Sequence, residues 1–129
     1  MTKEDKELLL KDLSARLPYG VKIRIIYHEI KGADPEYVDD VFSTTHYNMI
    51  DYDDDNYEFL PYLRPMSSMT EEERKEYDTL IKNMYYGYNG FHDAITVDYL
   101  NSIHVDYRGL IEKGLALEAP EGMYKEEQQ

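Results

Sequence analysis

Three short stretches carry the residue types from which active sites are made. In the acidic run Asp51-Tyr52-Asp53-Asp54-Asp55-Asn56, Asp51, Asp53 and Asp55 alternate as the leading ligands of a calcium loop do. An EF-hand-like loop wants Gly where Asn56 stands and a bidentate Glu where Tyr62 stands, and it joins helices, whereas these flanks read as strands. A solvated turn whose charge keeps a sheet edge from pairing with other chains accounts for the run better. In His104-Val105-Asp106-Tyr107-Arg108, an extended backbone sends His104, Asp106 and Arg108 to one side, and a His beside a carboxylate can serve as a base or a ligand. No Ser or second His is tied to it by spacing, and Asp106 capping the next turn while Arg108 pairs with a carboxylate explains the same residues. The third stretch, Tyr85-Tyr86-Gly87-Tyr88, could stack bases, but such platforms work inside a basic groove. Tyrosine also supplies large contact area with a polar tip, so Tyr85, Tyr86 and Tyr88, with Arg64, are candidate protein contacts.

Other chemistries lack their residues. His28, His46 and His92 form no HExxH or His-x-His pattern, and neither GxxxxGK[ST] nor GxGxxG occurs. The chain has no Cys, which removes thiol nucleophiles, thiolate zinc sites and iron-sulfur clusters and suits a reducing compartment. No cofactor is expected. The 27 Asp+Glu against 14 Lys+Arg give a net charge of -13, a field that repels phosphate backbones and disfavours direct nucleic-acid binding. The same field keeps a small protein soluble, and in the extreme it would imitate DNA. The first six residues mix both charge signs and lead into only three leucines, Leu8 to Leu10, so no secretion leader is expected. No apolar run nears the roughly 20 residues of a membrane span.

These residues must be held by one domain of 129 residues, a length one core can serve. Thr2 caps an expected helix over residues 3 to 16, with Leu9, Leu10, Leu13 and Leu17 on one face, ended by Pro18 and Gly20. Val21 to Tyr27 alternates apolar and basic residues over its first half, as a strand with one wet face does. A hairpin partner is expected over Tyr37 to Thr45, a third strand over Tyr47 to Ile50 and a fourth over Tyr57 to Leu63, where Pro61 implies a sheet edge or a break. Ser68 with Glu71, and Thr70 with Glu73, offer overlapping capping boxes for a helix over 71 to 84 whose stripe is Tyr77, Leu80, Ile81 and Met84. Phe91, Ile95, Tyr99 and Ile103 space a third helix over 91 to 103; Leu115 to Glu118 reads as a last strand, and the tail from about 122 as frayed. Runs of strands bracketed by helices predict an α+β domain: a small, mainly antiparallel sheet of about three to five strands against about three helices.

Three stretches, Lys11–Val21 (KDLSARLPYGV), Tyr62–Glu72 (YLRPMSSMTEE) and Asp106–Leu117 (DYRGLIEKGLAL), resemble a family of small acidic proteins without assigned activity from gut Bacteroides-type bacteria, their prophages and related phages. Relatives often carry Cys where Ser14 stands here, and their middle segments vary in length. The resemblance implies an intracellular protein of a mobile element or its host and carries over no catalytic or ligand residue. The leading expectation is a non-enzymatic cytosolic protein-binding module. The alternatives are a metal-dependent hydrolase or nuclease using Asp51, Asp53, Asp55 or His104 and Asp106, and an acidic DNA-mimic inhibitor.

Overall fold

The computed structural model describes residues 1–28, 34–52, 56–84 and 89–125, with only the backbone course at 83, 84 and 89–93. Four α-helices are described, α1 (Lys3–Arg16), α2 (Thr44–Asp51), α3 (Glu71–Met84) and α4 (Asn89–Ser102), with four strands, β1 (Lys22–Tyr27), β2 (Glu36–Val41), β3 (Tyr57–Leu63) and β4 (Leu117–Glu118). The strand order is β2-β1-β3-β4; β1 is antiparallel to both neighbours, and only the short β4 runs parallel to β3. The protein is thus an α+β fold on a mostly antiparallel sheet. Among the described residues, no helix is long and apolar enough to cross a membrane.

The period of two divides the sheet. Ile23, Ile25, Tyr57 and Phe59 face α1 and α2 and build the main core with Leu9, Leu10, Leu13, Phe42 and Ile50. The opposite face carries Tyr37, Asp39 and Val41 of β2, Lys22, Arg24 and Ile26 of β1, and Glu58, Leu60 and Tyr62 of β3. A second cluster, Leu100, Ile103 and Val105 with Met66, Met69, Tyr77 and Tyr99, joins α3 to α4.

Several elements follow their local signals. Thr2 Oγ1 accepts from Asp5 N at 3.0 Å, capping α1. Thr70 and Glu73 form a reciprocal capping box at α3, whereas Ser68 bonds Pro65 O instead of boxing with Glu71. Pro61 neither splits β3 nor makes it an edge strand, since β3 runs unbroken between β1 and β4; at Pro61, opposite Ile23, the ladder groups turn away from β1, and β4 pairs only from Tyr62, so the missing N–H costs no β1 bond.

Other expectations are corrected. Residues 44–51 are helix α2, not the end of one strand and a third strand, because Ser43 caps it in a box closed by His46, whose Nδ1 accepts from Ser43 N at 3.0 Å. His46 and Ile50 then supply the buried i, i+4 face. Leu17 leaves the α1 stripe for an exposed 3₁₀ turn, while Asp12 and Arg16 are buried on it. In α4 the buried positions include Thr96 and Leu100, one residue on from the expected Ile95 and Tyr99, which are half-buried, while Ile103 just beyond the helix is buried as expected. The segment expected to fray at 122 is anchored at least to Tyr124, which is 4 % exposed; residues 126–129 lie outside the described residues.

Candidate functional site

The expected His104 to Arg108 constellation is not an extended strip. His104 ends α4 in the left-handed region, φ 63°. Val105 N reaches back to Leu100 O and His104 N to Asn101 O, a Schellman arrangement with Val105 packed by Leu100 and His where Gly is usual. The His104 ring stacks on Tyr124, centroids 3.7 Å apart. Burial, then the charges of Arg16, Arg64 and Lys22, lower its pKa to about 4, so the imidazole is neutral at pH 7. Asp106 accepts from Leu110 N at 2.9 Å and Ile111 N at 3.0 Å, capping the next turn. Arg108 turns to Asp12, Nε to Oδ1 at 3.2 Å.

Arg108 thereby joins a buried network anchored on α1. Asp12 and Arg16 are fully buried and pair i, i+4 at 2.8 Å. Arg16 Nη2 also donates to Val105 O at 2.8 Å, and both guanidinium groups lie about 5 Å from the Tyr107 ring. Tyr107 OH donates to Asn101 Oδ1 at 2.8 Å, closing the network onto α4. Arg64 is equally committed: it grips Glu73 at 2.7 and 2.9 Å and donates to Ser68 O and Ile103 O, with its side chain 17 % exposed. Its pairing with Glu73 raises the Arg64 pKa and lowers that of Glu73. The expected contact residue is a clamp between β3 and α3.

The end of β3 is spliced by the C-terminal segment. The β1–β3 register would next set Lys22 N against Tyr62 O. Instead the Tyr124 hydroxyl sits between them, accepting from Lys22 N at 2.9 Å and donating to Tyr62 O at 2.7 Å. One step further, Arg64 bridges to Val105, with Arg64 N on His104 O and Asp106 N on Arg64 O, both at 2.8 Å. A groove of about 480 Å³ runs between Arg64 and Glu73 on one side and 118–125 on the other.

Of the other sequence candidates, Asp51 ends α2 and accepts Lys6 Nζ on its carbonyl at 2.7 Å. Asp53, Asp55, Tyr85, Tyr86 and Tyr88 lie outside the described residues. Among the described residues no three His, Asp or Glu side chains gather as a metal ion requires, so Asp51, His104 and Asp106 do not form one ligand set.

The accessible chemistry lies on the outer face of the sheet, which motif reading did not single out. Arg24 stacks on Tyr37 with its Cζ 3.9 Å from the ring centroid and stands 5.5 Å from that of Tyr62. Tyr62 OH donates to Asp39 at 2.7 Å, and Arg24 Nε is 3.6 Å from the same carboxylate. Burial, then this hydrogen bond, raises the Tyr62 pKa. Beside this ladder β2 is exposed along its length, Tyr37 at 59 %, Val38 at 58 % and Val41 at 47 %. The basic alternation of Lys22 and Arg24 signalled the wet face, but only the register places Tyr37 and Asp39 over Arg24.

Compared with protein-family models, curated proteins and solved structures, the chain matches none of them.

Proposed function

We propose that the protein is a non-enzymatic, cytosolic protein-binding module, serving a phage or mobile element or its host, and that it meets its partner along the exposed edge strand β2. One observation carries this reading: among the described residues, three of the six large apolar side chains that are exposed, Tyr37, Val38 and Val41, fall on this six-residue strand. Apolar surface gathered in one place and rimmed by charge marks interaction sites, whereas scattered exposed apolars do not. Tyr37 is held ready by its stack on Arg24 and so loses little side-chain freedom on contact. The phage or host setting rests on the family resemblance.

The test is site-directed photo-crosslinking in host and phage-infected cells. A photoreactive side chain at Val41 should capture a discrete protein, and one at exposed Lys11 on α1 should not. Unlabelled native protein should compete and a Tyr37→Glu variant should not. Equal capture from both positions, or none from Val41, refutes the surface.

A further inference from the structure

Within that surface, the backbone of β2 offers more than its side chains. Phe42 N bonds Val21 O, and the antiparallel register alternates from there. Glu36, Val38 and Asp40 therefore turn their N–H and C=O groups toward β1, and Tyr37, Asp39 and Val41 turn theirs outward. Asp40 Oδ1 takes the Val41 N–H at 2.7 Å, which leaves the Tyr37 and Asp39 amides as the outward donors. Among the described residues no strand pairs with this edge.

A second copy of the chain is a poor occupant. Antiparallel self-pairing in the centred register sets Asp39 against Asp39, and a slip of two residues either way sets Glu36 against Asp40 or Asp40 against Asp40. Like charges directly opposite destabilise a strand pair. The same three carboxylates, on a chain of net charge -13, favour a partner of opposite sign.

We infer that β2 is a docking edge for an extended basic segment of another protein, added antiparallel to β2 as a further strand. Opposite residues 41 to 36 such a strand reads apolar, basic, basic, apolar, aromatic or apolar, basic. On the inner face its two outer basic residues meet Asp40 and Glu36 around a contact with Val38; on the outer face the remaining one meets Asp39 between Val41 and Tyr37. The acidic edge thus blocks the chain's own kind and selects its partner. This rests on the binding-module reading and specifies its chemistry.

The probe is the capped peptide Thr-Val-Lys-Lys-Val-Tyr-Lys-Thr, titrated into the full-length protein while amide hydrogen exchange is followed residue by residue. Exchange at Tyr37 and Asp39 should slow saturably, by about tenfold or more at saturation. Methylating the peptide nitrogens of the Lys opposite Asp39 and the Tyr opposite Tyr37 should abolish the effect. Glu36→Lys, at an exposed side chain, should weaken the peptide about two- to fivefold, and Glu in place of the facing Lys should restore it. Unslowed Tyr37 and Asp39 amides at millimolar peptide, or equal slowing by the methylated peptide, overturn edge pairing. If Val41 crosslinks a partner while those amides stay unprotected, only edge pairing falls; if both fail, the binding-module reading falls with it.

Discussion

Replacing Tyr124 with Phe removes one oxygen atom and tests the assembly of β3's end. The phenol joins Lys22 N–H to Tyr62 C=O at 2.9 and 2.7 Å, in a side chain 4 % exposed. Phe keeps the ring and so keeps its stack on His104. What is lost is two hydrogen bonds of about 1 kcal/mol each, with a further cost for the backbone donor and acceptor left behind, in all about 2 to 4 kcal/mol. For a chain of this size that corresponds to a fall in Tm of about 8 to 15 °C. It is a large share of a typical folding stability of about 5 to 15 kcal/mol.

Urea unfolding with matched m-values gives the free energy, and hydrogen exchange at the Lys22 amide locates it. The Lys22 amide should lose protection in Tyr124→Phe more than the amides of Ile23 and Ile25, which turn toward β2. A loss below about 0.5 kcal/mol with Lys22 still protected would mean that the strands close directly once the oxygen is gone, and the splice would be refuted.

Three further perturbations have definite expected results. His104 has a folded-state pKa of about 4 against an ordinary 6.5, so the unfolded chain takes up a proton first; stability is full above about pH 6.5 and falls by up to about 2 to 3 kcal/mol toward pH 4, and His104→Asn should flatten that slope in urea titrations across the window. Glu73, with its pKa lowered chiefly by Arg64, contributes stability above its ordinary 4.5 that is lost as pH falls below that value, so the deficit of Glu73→Gln should be full at neutral pH and shrink only below about 4.5, which separates it from the His104 slope above that value. Asp12→Ala should cost about 3 to 5 kcal/mol by stranding buried Arg16, whereas Asp12→Leu with Arg16→Met should cost clearly less; chemical denaturation of the single and double variants decides it.

Where a signal is local, the sequence carried it. The Thr2 cap, the Thr70 and Glu73 box and the alternation through β1 each depend on residues within one or two turns, and each is in place. Helix α2 escaped because its box is closed by His46 rather than Glu or Gln, and its β-branched, aromatic composition imitates a strand. Asp12 and Arg16 sit at a readable i, i+4 spacing, but such pairs are usually solvated; their burial is imposed by Val105, Tyr107 and Arg108, far along the chain. Tyr124 stands alone in a polar tail with no period to announce it. The outer-face ladder needed the β1–β2 register, which no local pattern specifies.

Shifted pKa values gather around β3, at Tyr62, Arg64, Glu73 and His104, and such clustering is commonly read as the mark of an active site. Here most of these shifts have a structural cause that is already visible. Glu73 is lowered because it grips Arg64 and closes a helix cap, Tyr62 is raised because it is buried and bonded to Asp39, and His104 is lowered because its ring is buried and then because Arg16, Arg64 and Lys22 lie near it. The reactive residue types are thus concentrated where β3, α4 and the C-terminal segment converge, a junction of loops and strand ends that polar cross-links tie together beside the Leu100, Ile103 and Val105 cluster. On β2 the opposite holds: among the described residues no strand pairs with the outward amides of Tyr37 and Asp39, and the apolar side chains beside them are exposed. That contrast is why the proposed function rests on a strand edge rather than on the histidine and carboxylates that first draw the eye in the sequence.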